Sequence, residues 1–211
     1  MNGHMKPADI EKRSFAIITE ELGGRTFPEG VAEVVKRVIH TSADFDYADN
    51  LCFSPDAVEQ AKAALEAGAT IVTDTNMALA GISKGTLAQL GGRAVCLMAD
   101  EDVAREAKAR GVTRATVSME HAAKLDGPLI FAIGNAPTAL IRLHELIEEG
   151  AVSPALVIGV PVGFVNVVES KELFLGGATP YIIARGRKGG SNVAAAIVNA
   201  LLYQIIKREG F

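Results

Sequence analysis

Leu129-Ile130-Phe131-Ala132-Ile133-Gly134-Asn135-Ala136-Pro137-Thr138 decides the fold. Five apolar residues run on without the alternation of a strand that is half open to water. They break into Gly, Asn and Pro, which turn a chain and start a helix. An amphipathic stretch, 137–149, follows. A strand covered on both faces, a turn and a covering helix form the repeating unit of a parallel sheet.

The unit recurs on either side. Apolar runs lie at 70–73, 94–98, 156–160 and 181–184, and helical patterns at 56–67, 84–89, 102–110, 165–173 and 193–207. The rhythm predicts an α/β fold of three layers, α/β/α, with a mostly parallel sheet in the middle. An N-terminal helical region, 10–21 and 29–39, precedes it. Its second part carries Val31, Val34, Val35 and Val38 at helical spacing. With no internal repeat or low-complexity linker, one domain is expected over residues 1–211, its first nine residues flexible. Gly3-His4-Met5 resembles a cloning scar, so His4 is set aside.

Composition narrows the function. The 211 residues suffice for a full core. A net charge of −4, from 21 basic and 25 acidic side chains, argues against nucleic acid as partner. It leaves room for a polyanionic small molecule, which needs a local basic cluster. No Trp and 5% aromatics leave little for a base-stacking platform. No apolar run reaches membrane-spanning length, and the polar start lacks the core of a secretion signal. Cys52 and Cys96 have no metal-binding spacing and read as buried thiols of a cytoplasmic protein.

Ligands of open parallel sheets sit beyond the carboxyl ends of the strands. The segments there are Asp74-Thr75-Asn76-Met77, Gly134-Asn135-Ala136-Pro137-Thr138, Pro161 to Asn166 followed by Glu169-Ser170-Lys171, and Arg185 to Asn192. Each also reads as ordinary turn and cap chemistry. The last places Arg185, Arg187 and Lys188 before Gly-Gly-Ser-Asn at a helix start, where amides and guanidinium groups can hold an anion. A solvated basic turn fits it equally well. Neither a P-loop order nor a Gly-x-Gly-x-x-Gly after the first run is present, so a dinucleotide cofactor has little support.

A second candidate site lies upstream, in Arg37-Val38-Ile39-His40-Thr41. Positions three apart on a helix share a face, so Arg37 and His40 can address one object. Histidine exchanges protons near neutral pH, and arginine forks onto carboxylates. Together they suit an acidic substrate. The alternative is a histidine that simply caps a helix C-terminus. His121 and His144 fall in helical stretches without companion ligands, so no metal site is expected.

In order along the chain, Ile10-Glu11-Lys12-Arg13-Ser14-Phe15, Val38-Ile39-His40-Thr41, Thr73-Asp74-Thr75-Asn76-Met77, Ala132 to Leu140, Gly159 to Val165, Glu169-Ser170-Lys171 and Arg185 to Ser191 resemble the precorrin-8X (cobalt-precorrin-8) methylmutase family of cobalamin biosynthesis. The resemblance spans about Ile10 to Tyr203. It implies a flavodoxin-like fold, a homodimer and no cofactor, any cobalt belonging to the substrate. It also implies migration of a methyl group on ring C, from carbon eleven to carbon twelve, giving hydrogenobyrinate or its cobalt form. By that resemblance His40 is the proton donor and acceptor, and Ser14, Arg37 and Arg114 contact the substrate. Arg13, Thr41, Asn76, Asn135, Arg185, Arg187, Lys188 and Ser191 complete the expected set. The run from His40 to Tyr47 is closer to the cobalt-containing branch. Two other functions fit the residues: a tetrapyrrole-binding protein without activity, and a phosphate-ligand enzyme using residues 185–191.

Overall fold

The structure, a computed structural model, describes residues 7–207. The elements in order are α1 (Pro7–Leu22), α2 (Val31–Ser42), α3 (Tyr47–Asn50), β1 (Leu51–Phe53), α4 (Ala57–Glu66), β2 (Thr70–Thr73), α5 (Asn76–Gly81), α6 (Lys84–Gln89), β3 (Arg93–Val95), a 3-10 turn (Leu97–Ala99), α7 (Glu101–Arg110), α8 (Arg114–Ala122), β4 (Leu129–Ile133), α9 (Pro137–Glu148), β5 (Leu156–Gly159), α10 (Val167–Glu172), β6 (Tyr181–Ala184) and α11 (Ser191–Ile205). Of the start expected to be flexible, residues 1–6 lie outside the described residues, and Pro7 to Asp9 belong to α1.

Six strands form one sheet in the order β1-β6-β5-β4-β2-β3, and only β1 runs antiparallel, against β6. The five parallel strands therefore follow the flavodoxin-like order, with its reversal between β2 and β4. The strands inside the sheet are buried at every residue, and the edge strands β1 and β3 in part. Cys52, in β1, and Cys96, just after β3, are therefore half-buried and not buried as expected. Side chains alternate between two cores. Ile71, Ile130, Ile158 and Ile182 meet α2, α4 and α11, while Val72, Phe131, Val157 and Ile183 meet α8 and α9. Helix α11 is apolar nearly all round because α2, α4, α5 and the sheet enclose it.

Three differences from the sequence reading have local causes. The run at 94–98 is a strand only through Val95, after which the chain turns in a 3-10 helix. Strand β1 was not expected, since three residues after a one-turn helix carry no periodicity of their own. Helix α5 was read as loop, and a hydroxyl begins it: Thr75 Oγ1 accepts from the Ala78 amide at 3.0 Å. Among the described residues no helix is long and apolar enough to cross a membrane.

Candidate active site

The reversal point of the sheet, where such folds usually take a ligand, is filled by the chain itself. Asp74, 1% exposed, follows β2. Its carboxylate accepts the amide hydrogens of Gly134, Asn135 and Ala136 at 2.9, 2.8 and 2.6 Å. These amides line the turn that leads into α9, and the carboxylate closes that turn from inside. Burial pushes the Asp74 carboxyl up, and the three amides pull against it. Gly134 has no room for a side chain, because a Cβ would lie 2.7 Å from the Ser191 Cα. Ser191 is buried, and its hydroxyl bonds Thr75 Oγ1 at 2.7 Å. Asn76 and Asn135 stand exposed on this rim.

The open chemistry lies along α2. The helix packs Val34, Val35, Val38 and Ile39 inward and leaves His40 and Thr41 in solvent. Ala43 ends it in the left-handed region, at φ 54°, donating its amide to Ile39 O. Phe15 of α1 lies across the outward face. Its ring stacks on His40 with centroids 5.1 Å apart, and the Arg37 guanidinium sits 4.7 Å from the same ring. Arg37 and His40 thus share a face, as their spacing requires. Arg37 already holds a carboxylate, Glu11 Oε1 at 2.6 Å, and also lies over Tyr203. Ser14 donates to the Ile10 carbonyl at 3.0 Å and keeps its lone pairs to accept a bond.

Besides a groove of about 310 Å³ lined by Phe15, Lys36, Arg37 and Tyr203 among others, two smaller grooves flank α2. One, about 240 Å³, is lined by Ser14, Ile17, Glu21, His40 and Phe45 among others. The other, about 230 Å³, lies between α2, α5 and α11 and includes Arg37, Thr41, Asn192 and Tyr203. The loop before α11 joins this region through Lys188, whose Nζ reaches Asp44 Oδ2 at 2.6 Å and Asp46 Oδ2 at 2.7 Å. That pair holds the Asp44 carboxyl below its ordinary range and the Lys188 ammonium above its own. Arg187 extends over the Phe164 ring at 5.4 Å.

The structure therefore gathers Ser14, Arg37, His40 and Thr41 along α2 and ties the Arg185–Ser191 loop to the turn after it. Arg114 opens α8 on the other face of the sheet, next to the Thr113 cap. Among the described residues Arg13, Arg114 and Arg185 make no ion pair. His121 bonds Glu106 at 2.8 Å and His144 meets the edge of Phe174. No three His, Cys, Asp or Glu side chains form a metal-binding group among the described residues. Sequence reasoning did not single out Phe15, Glu11 or Lys171. All three lie in runs that the family resemblance covers, Glu11 and Phe15 in 10–15 and Lys171 in 169–171, but their roles depend on how α1 and α10 pack.

Residues 9–204 match the family model described as CbiC, precorrin-8X methylmutase. The chain is 48% identical over 208 residues to the cobalt-precorrin-8 methylmutase of Salmonella typhimurium, covering 95% of this chain and 96% of that protein. It is 43% identical over 195 residues to the precorrin-8X methylmutase of Pseudomonas aeruginosa, covering 91% and 93%. Among solved structures it is similar to the precorrin-8X methyl mutase of Thermus thermophilus, with a TM-score of 0.84, 41% identity and coverage of 92% and 94%.

Proposed function

The chain belongs to the precorrin-8X methylmutase family, and from that premise we propose how its residues carry the reaction. It is an isomerase that moves a methyl group within a tetrapyrrole. The methyl leaves carbon eleven and bonds to carbon twelve of ring C, and substrate and product are isomers. His40 lends a proton to a ring nitrogen and takes it back. The proton draws electron density through the conjugated system and eases migration, a contribution typically worth about 10²–10⁴-fold. No redox partner or methyl donor enters that balance, so the enzyme works without a cofactor, and cobalt is part of the substrate.

One observation supports His40 most directly. The residue is exposed, its ring stacks on Phe15, which also carries the Arg37 guanidinium, and it lines one groove with Ser14. Holding the acid and the macrocycle in one geometry supplies the rest of the effect. A substrate carboxylate reaches Arg37 by displacing Glu11. The two smaller grooves are below the roughly 300–1,000 Å³ usual for drug-sized ligands, and the one beside Arg37, about 310 Å³, is at the lower edge of that range. A second copy of the chain in a homodimer closes the site around a larger macrocycle. The run after His40 favours the cobalt-containing substrate.

The experiment is to mix the protein with precorrin-8X and, separately, cobalt-precorrin-8 and follow the visible spectrum. Conversion to the product spectrum, faster with the cobalt form, is expected. A single static shift with both would identify a binding protein instead.

A further inference from the structure

Lys171 is 1% exposed, on α10. Its Nζ donates to the carbonyl oxygens of Gly186 and Lys188, each at 2.8 Å. Among the described residues it forms no ion pair, and burial alone pushes its ammonium down to about 8. A buried charge held only by dipoles is costly, and an apolar side chain of similar length would often pack there more stably. The fold does not need this ammonium to satisfy the two carbonyls. Gly186 and Lys188 belong to an exposed loop, so their carbonyls can turn to solvent once the loop is released.

What the ammonium fixes is the path of the loop. A planar trans peptide points its N–H opposite to its C=O. Carbonyls 186 and 188 therefore turn the amides of Arg187 and Gly189 away from Lys171. The Arg187 carbonyl accepts from Gly163 at 3.2 Å, while its guanidinium lies over Phe164. The loop already packs against the end of β5, where a Cβ on Gly189 would overlap the Val160 oxygen and the Gly190 amide donates to that oxygen at 2.9 Å. Next along the chain, Lys188 holds Asp44 and Asp46, just beyond His40.

We propose that Lys171 is a positioning residue for the reaction: its buried ammonium grips the Gly186 and Lys188 carbonyls and holds Arg185 to Lys188 in the shape that receives carboxylate arms of the substrate. The proposal rests on the acidic tetrapyrrole assigned above.

The test compares Lys171→Met and Lys171→Gln with the wild-type chain in turnover, in product binding read from the visible spectrum, and in thermal melting. Losing charge-assisted hydrogen bonds from a binding loop corresponds to about tenfold or more in affinity. The expected result is KM and product Kd raised at least that much, kcat within about threefold, and melting no lower than wild type. Adding Arg187→Ala to Lys171→Met should cost less than the product of the single effects, because both act through one loop. Unchanged KM and Kd, a fall confined to kcat, additive effects, or failure of both variants to fold would each overturn the proposal. Wild-type turnover in the same assay separates the two ideas. Its absence counts against the function, while product Kd still reports on Lys171.

Discussion

His40, Arg37 and Phe15 meet because α2 sets positions 37 and 40 on one side and α1 lays an aromatic ring across both. The first half of that arrangement is legible in the spacing. The second is not, because Phe15 and Glu11 reach the site through the packing of two helices, which no local pattern encodes. Lys171 was hidden for a similar reason: a lysine between two glutamates on a short helix reads as solvent-facing. Its burial has a measurable sign. The folded chain lowers the ammonium from 10.5 to about 8, so between those values the unfolded chain binds more protons and stability rises with pH. Wild type should gain about 2 kcal/mol relative to Lys171→Met between pH 8 and pH 10. Urea unfolding at the two pH values measures it, and equal changes in both proteins would show the lysine is not desolvated.

The strands that sit inside the sheet were readable because burial on both faces leaves continuous apolar runs. The edge strand β1 was not, since its antiparallel partner, β6, lies some 130 residues further along the chain. Helix α9 shows how one element's start can depend on another's end. Three amides of the turn that leads into it are satisfied by Asp74 beyond β2. Asp74→Asn presents an NH₂ group to donors and leaves at least one buried amide unpaired, at a cost of about 1–3 kcal/mol. For a chain of this size that lowers the melting temperature by about 3–10 °C. An unchanged melt would mean the carboxylate is not what closes the reversal point.

At the scale of the whole molecule, the sheet order, the grooves beside α2 and the basic loop before α11 follow from one architecture. The chain threads five parallel strands and returns α11 between α2 and the sheet. The loop segments beyond β2, β4, β5 and β6 were legible as a set, and the structure interlocks them through Thr75 with Ser191, Asp74 with Gly134, and Gly190 with Val160. That interlocking leaves the reversal point filled, while the exposed His40 and Thr41 and the grooves beside them lie along α2. The proposed homodimer is checked by light scattering on the purified protein: twice the chain mass is expected, and a monomer at working concentrations would leave the grooves unclosed.

The central claim is that His40 moves the proton that allows the methyl to migrate. Its most direct test is the turnover of His40→Asn on the substrate that the wild-type chain converts. The account predicts kcat lower by about 10²–10⁴-fold, with product binding retained because the arginines and Lys171 are untouched. Turnover at the wild-type rate would contradict it.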